Sequence, residues 1–459
     1  MTSTLGPAAT RRRSALVVLC FVQFMLVLDD TVVNVALPSI RNELGFSASG
    51  LAWVVNAYFL AFGGLLLLFG RMADLLGRRR VFLAGVALFG LASLVSGIAQ
   101  EPWQLVAGRF AQGAGAAMAS PASLSLITLL FPGPQERARA LGIWGGMAGL
   151  GGTMGLVISG VLTDLTSWRW IFLINLPVVA AAIMLLPGLV PESRAARRTR
   201  PDVGGAVLGT AAVVSLVYGL LQVGESGWGD MSVIVALVLA AVLIAVFLVV
   251  ESRVAEPLVP IAFLTFRTRA VANVASLLFS AAAYAMSFLL MIHLQTVLGY
   301  DPLIAGLAYL PYGAGILTGM WLSTRVLARI GMRWALVLSF LVCVAGFVLL
   351  SGIAPGGHYA AAVLPGLLVT SLGSGMCLPV LATAAVAGTT GEDAGLGSAL
   401  FTSMQQVGGS VGVALLVTLA AWRGGGAAGY SFALTVAAAL IALGAVLIAA
   451  LLRNDRSAA

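Results

Sequence analysis

The stretch VLDDTVVNVALP, residues 27–38, sets two adjacent acids, Asp29 and Asp30, toward one end of an otherwise apolar run. About 20 apolar residues cross a bilayer as a helix, and the run near 14–37 is long enough to do so. An Asp at the centre of such a helix costs roughly 2.5–3.5 kcal/mol on insertion scales, so intramembrane acids face a wet cavity or a partner. At about 1.5 Å per residue, Asp29 lies roughly 12 Å inside the helix end near Leu37. Neighbours on a helix point about 100° apart, so Asp29 and Asp30 are not expected to share one groove.

The rest of the chain is similarly apolar. Of its 459 residues 60% are hydrophobic and only 9% are charged, with a mean hydropathy of +1.04. Soluble domains carry about 25% charged residues. Fourteen apolar segments recur along the sequence, which reads as an all-α polytopic membrane protein. The net charge of +8 does not point to nucleic acid. All 25 basic residues are Arg, placed mostly in alternate short loops. With the N-terminus inside, 21 fall on the cytoplasmic side and three (Arg41, Arg169 and Arg423) outside, while Arg109 stays within a span. Both termini are therefore expected in the cytoplasm. Arg11–Arg13 followed by an apolar run resembles a signal peptide, but the acids and the many later spans favour an uncleaved first helix.

Several chemistries are closed. Without Lys there is no P-loop and no Schiff base. Two His residues give no basis for a histidine-rich metal site, and Cys20, Cys343 and Cys377 lie singly in apolar runs. No cofactor or metal is expected, and no enzyme activity.

The expected organisation is a cytoplasmic tail (1–13), a six-helix bundle (14–190), a cytoplasmic linker (191–203), an inserted helix pair (204–250), a cytoplasmic loop (251–269), a second six-helix bundle (270–452) and a tail (453–459). GRMADLLGRRR at 70–80 and RVLARIGMRW at 325–334 echo one another in placing Gly then Arg at a cytoplasmic turn. Repeated halves are a transporter architecture with the substrate site between them near mid-membrane.

Arg109, in LVAGRFAQGAGAA, lies about 9 Å inward from Trp103, a depth similar to that of Asp29. A buried Arg needs an anion, so the acid is its natural counter-charge; snorkelling outward is the alternative. Burial favours a protonated carboxyl and a nearby guanidinium favours the ionised form. A carboxyl between those influences can exchange its proton for cargo. One charge crossing 100 mV supplies about 2.3 kcal/mol. The glycine-dense run GIWGGMAGLGGTMGLVISG, 142–160, has pairs four apart such as Gly145/Gly149 and Gly151/Gly155, which permits close helix contact. It lacks the spacing and the preceding strand of a dinucleotide site. His293 lies near an outer end and reads as wet or hydrogen-bonded.

At these residues the chain resembles the major facilitator superfamily, and within it the fourteen-helix drug:proton antiporters. The resemblance runs from Leu28 to about Gly412. It rests on LDDTVVNVALP (Leu28, Asp29, Thr31, Asn34, Ala36, Leu37, Pro38), GRMADLLGRRR (Gly70, Asp74, Gly77, Arg78, Arg79), RFAQGAGAA (Arg109, Gln112, Gly113, Gly115), SWRWIFLINLP at 167–177 and the LQTVLGY–AGLAYLP stretch at 294–311. Asp30 falls at a free position of the first motif. The resemblance implies that Asp74 and the following arginines latch the cytoplasmic side, that Arg109 takes part in proton transfer, and that Gly151, Gly155 and Gly160 form the fifth-helix antiporter motif. Leu156 stands where the family has Pro, Ser159 where it has Gly, and Leu75 where it has a basic residue.

The expected function is therefore proton-coupled export of hydrophobic or amphiphilic compounds by a monomer in a bacterial inner membrane, with Asp29, Asp30 and Arg109 coupling protons. The candidate cavity residues are Asn34, Trp53, Tyr58, Gln112, Tyr284, Gln295 and Gln405. No acid beyond Asp30 joins Asp29 well inside a span, so neutral or singly charged amphiphiles are expected over dications. A metabolite importer of the same fold, or a polytopic enzyme or receptor, are the alternatives.

Overall fold

The computed structural model describes residues 7–194, 201–254, 256–354, 356–389 and 393–452. Thirteen helices among them are long and apolar enough to cross a membrane. One of these, Pro302–Leu350, contains Gly331 at φ 76° and ψ 168°, outside helical space. Only glycine takes that φ at little cost, so the chain breaks there and the single helix is two spans. The fourteen apolar segments are thereby all accounted for.

The spans are α1 (Pro7–Leu44), α2 (Ala48–Leu76), α3 (Arg78–Gly97), α4 (Pro102–Leu130), α5 (Pro134–Leu165), α6 (Asn175–Leu189), α7 (Val203–Ser226), α8 (Met231–Arg253), α9 (Arg267–Thr296), α10 (310–330), α11 (332–350), α12 (Leu364–Ala385), α13 (Asp393–Trp422) and α14 (Gly426–Leu451). A short helix, Trp170–Leu173, leads into α6, and another, Pro302–Leu307, precedes α10. Helices α1–α6 and α9–α14 form two six-helix bundles, with α7 and α8 as the inserted pair. Residues 7–13, expected as a tail, belong to α1, and the expected 251–269 loop contains the end of α8, the short helix Ile261–Thr265 and the start of α9. Arg197, Arg198 and Arg200 of the linker, and Arg453 and Arg456 of the C-terminal tail, lie outside the described residues.

Small residues set the close contacts. Helix α7 docks on α2 where a Cβ at Gly64 would stand 2.3 Å from Thr210 Oγ1. It is tied to α13 by Thr418 Oγ1 donating to the Leu220 carbonyl at 2.7 Å. At the far end of α7, Glu225 accepts from Ser47 Oγ at 2.5 Å and from Ser49 Oγ.

The bundles meet through α1–α9, α2–α13 and α5–α10. Gln295 Nε2 donates to the Val35 carbonyl at 2.8 Å, and Phe59 packs edge-on to Tyr284 with centroids 4.6 Å apart. At the end carrying the α1–α2 turn the contact is backbone on backbone. A Cβ at Gly160 would stand 2.8 Å from the Pro302 carbonyl, and one at Gly306 would stand 2.6 Å from the Leu156 carbonyl. At the opposite end of α5, positions 142, 145, 146 and 149 have nothing within 4 Å of where a Cβ would stand. The molecule is thus closed at one end, while that half of α5 is uncovered.

This divides the glycine run. Gly151 and Gly155 lie against α1, where added Cβ atoms would meet the Phe24 carbonyl at 2.7 Å and Thr31 Oγ1 at 2.2 Å. Gly145 and Gly149, expected as a packing pair, pack against nothing in this conformation. Spacing makes a bare face; a partner helix must still arrive there. Helix α5 also contains no interior proline, and at the position where the family has Gly, Ser159 Oγ donates to the Val32 carbonyl of α1 at 2.5 Å.

Overpacking a close contact costs about 1–3 kcal/mol. Gly155→Leu is therefore expected to lower thermal stability by that order and to lose transport. Gly149→Leu should leave stability unchanged. Equal melting behaviour of the two variants in detergent would contradict the close-contact reading.

Candidate functional site: a buried ion pair in the first bundle

Asp29 on α1 and Arg109 on α4 are both fully buried. Arg109 Nη1 donates to Asp29 Oδ2 at 2.5 Å and to Gln112 Oε1 at 3.0 Å, while Nε donates to the Val54 carbonyl at 3.0 Å. The guanidinium lies over the Tyr58 ring, 4.5 Å from its centroid, and 5.9 Å from that of Phe172. Arg109 does not snorkel. Asp29 Oδ1 accepts from Gln112 Nε2 at 2.9 Å and Asn175 Nδ2 at 2.7 Å. Ser93 Oγ accepts from Gln112 Nε2 at 2.8 Å and from Asn175 Nδ2 at 3.3 Å. A charge this far from water persists only with such bonding, because low dielectric penalises any unpaired polar group.

Asp30 is turned the other way. Its carboxyl faces the Tyr284 hydroxyl of α9, in the other bundle, and also senses Arg109. Asp30 Oδ1 and Arg109 Nη2 are buried atoms without a hydrogen-bond partner. The guanidinium therefore bonds Asp29 through Nη1 and leaves Nη2 uncommitted.

The other candidate residues distribute unevenly. Tyr284 and Gln295 lie where the bundles meet, while Asn34 Nδ2 donates within α1 to the Thr31 carbonyl at 3.3 Å. Gln405 is half-buried on α13, beside Gln406, whose Cβ is 2.7 Å from where a Cβ at Gly63 would stand. Gln112 and Tyr58 were expected on the cavity but belong to the Asp29–Arg109 network, inside the first bundle. Trp53 lines a surface groove of about 520 Å³ with Trp103, Val106 and Tyr218, because its turn of α2 faces outward near the α1–α2 turn. His293, expected to be wet or hydrogen-bonded, is 1% exposed and packs edge-on against Tyr430.

Among the loop residues, Arg78 bonds Asp74 Oδ1 through Nε at 2.8 Å and Nη2 at 2.7 Å. Gly77, at φ 115°, makes the α2–α3 turn. Gly70 faces Pro121. Arg79 Nη1 donates to the Val190 carbonyl at 2.9 Å. Sequence reading missed Glu192, whose carboxylate accepts from the Arg79 and Arg80 amides at 3.2 and 3.1 Å. It places an anion on the N-terminus of α3, as the helix dipole favours. Asn175 and Ser93 were also missed. The only signal for Asn175 was a lone amide in the apolar part of the SWRWIFLINLP stretch. The first part of that stretch clamps the closed end, where Trp168 Nε1 donates to Glu43 Oε2 at 2.6 Å and Arg169 pairs with Glu43.

Two helical bundles around a shared interface, with a buried acid–guanidinium pair beside it and an inserted helix pair outside, define a polytopic membrane carrier. The sequence matches the Major Facilitator Superfamily over residues 19–413, and the chain belongs to that superfamily. It is 41% identical over 413 residues to the puromycin resistance protein pur8 of Streptomyces alboniger, covering 89% of this chain and 82% of that protein. It is 38% identical over 434 residues to the cephamycin export protein CmcT of Amycolatopsis lactamdurans, covering 91% and 88%. Its fold is similar to that of a bacterial homologue of the human lysosomal transporter Spinster, crystallised inward-facing and unoccupied. That match has a TM-score of 0.68 at 15% identity and covers 98% of this chain and 99% of the other.

Proposed function

We propose that the protein exports hydrophobic or amphiphilic small molecules, antibiotics among them, in exchange for protons by alternating access. The observation that carries this reading is the fully buried Asp29–Arg109 pair, with Asp30 turned from the next position toward the other bundle. Asp29 takes up a proton and releases Arg109. The guanidinium, with Nη2 already free, then turns toward Asp30 at the bundle interface. Cargo entering there competes for the same negative field and returns the proton. The relatives named for puromycin resistance and cephamycin export support the direction and the class of cargo.

The distribution of Arg supports a cytoplasmic location for both termini and for the uncovered half of α5. The α2–α3 turn, with Asp74, Arg78 and Arg79, then acts as the cytoplasmic latch, while Gly151, Gly155 and Gly160 keep α5 close to its neighbours as the bundles rock. The protein works as a monomer in the bacterial cell membrane.

In everted vesicles this reading expects substrate accumulation that collapses when the pH gradient is dissipated. Accumulation that ignores the gradient, or runs only in the import direction, would refute it. With no acid beyond Asp30 joining Asp29 well inside a span among the described residues, monocations and neutral amphiphiles should be carried in preference to dications. A competition assay in which dications win would overturn that specificity.

A further inference from the structure

Far from Asp29, a second pair of acids is buried where the inserted helices meet α2. Asp202 caps α7, its Oδ1 accepting from the Gly205 amide at 2.8 Å. Glu251, in the last turn of α8, is 5% exposed, and its Oε1 accepts from the Val259 amide at 2.5 Å. The remaining oxygens, Asp202 Oδ2 and Glu251 Oε2, have no donor. They converge on one point, standing 2.6 and 3.0 Å from where a Cβ at Gly205 would be. Leu68, Ala206 and Leu258 form an apolar cluster beside them. Among the described residues, Arg71 of α2 acts on Glu251 as a nearby positive charge, and its Nη1 and Nη2 donate to the carbonyls of Glu256 at 3.0 Å and Pro257 at 2.5 Å.

Two carboxylate oxygens that converge without a donor repel one another when both are charged. One proton between the free oxygens turns the clash into an O–H···O⁻ hydrogen bond, which is short and strong. It also lowers the negative charge that the pair sets opposite Arg71. We propose that Asp202 and Glu251 are a second proton-binding site, holding one shared proton that fastens the inserted helix pair to α2 and to the 256–259 segment leading into the second bundle. Loss of that proton drives the two acids apart, frees the Val259 amide and loosens the segment.

The test is infrared spectroscopy of the protein in lipid at neutral pH, comparing wild type with Asp202→Asn, Glu251→Gln and the double variant. Each single variant should lose the same protonated-carboxyl band, and the double variant should lose no more, because one proton is shared. Additive losses, a loss in only one variant, or no loss would overturn the proposal. Trypsin cleavage after the exposed Arg253 gives a second readout. Glu251→Gln keeps an acceptor for Val259 and a donor for Asp202 without needing a proton. The ratio of wild-type to Glu251→Gln cleavage should therefore rise severalfold with pH, and a constant ratio would overturn the fastening role. Neither readout depends on transport, so the site stands or falls independently of proton-coupled export.

Discussion

Asp29→Asn is expected to abolish proton-driven efflux while the protein still reaches the membrane. An amide preserves the shape of the side chain and an acceptor for Arg109, but it does not take up and release a proton. The substitution also removes the counter-charge that is hydrogen-bonded to the buried guanidinium. Removing one member of a buried pair costs about 3–5 kcal/mol, and the retained acceptor places this variant toward the lower end. The checks are drug susceptibility in an efflux-deficient host, membrane abundance and thermal melting in detergent. Efflux at the wild-type level would remove Asp29 from the mechanism.

Arg109→Ala should abolish transport equally but destabilise the protein by less. The two partners are not symmetric: an orphaned carboxyl can neutralise itself by binding a proton, whereas an orphaned guanidinium cannot lose one. In Arg109→Ala the proton on Asp29 is no longer displaced by a neighbouring cation, so the exchange stalls with the site neutral. Combining the two substitutions should recover part of the stability lost in Asp29→Asn and none of the transport. A double variant less stable than the sum of the single variants would contradict the pairing, and transport by Arg109→Ala would remove the guanidinium from the proton path.

Much of this arrangement was legible in the sequence. The fourteen spans follow from apolar length alone, and even the merged helix at Pro302–Leu350 breaks at the glycine beside Arg329 and Arg333. Asp29 and Arg109 meet as their similar depths implied, although α1 runs past the expected end near Leu37, through Pro38 to Leu44. The 100° offset between Asp29 and Asp30 likewise implied that the two would not share one groove, but not which of them would face the other bundle. What escaped was non-local. Asn175 and Ser93 reach Asp29 from α6 and α3, and nothing in their own neighbourhoods announces it. Glu192 and Asp202 stand in what reads as a linker, yet one caps α3 and the other meets Glu251 across two helix ends. The glycines of α5 showed which faces were bare, not which would be covered, because the spacing is the same at Gly145/Gly149 and Gly151/Gly155. Trp53 and Gln112 were misplaced for a related reason: the rotation of α2 and α4 within the bundle depends on partners that no single helix encodes.

The central claim, that the Asp29 carboxyl trades its proton for cargo, is tested most directly in proteoliposomes with a pH dye trapped inside and no imposed pH gradient. A substrate gradient across wild-type protein should drive protons in the opposite direction, while Asp29→Asn, still able to exchange labelled for unlabelled substrate, should move none. Substrate-driven proton movement of wild-type size through the Asp29→Asn protein would contradict the account.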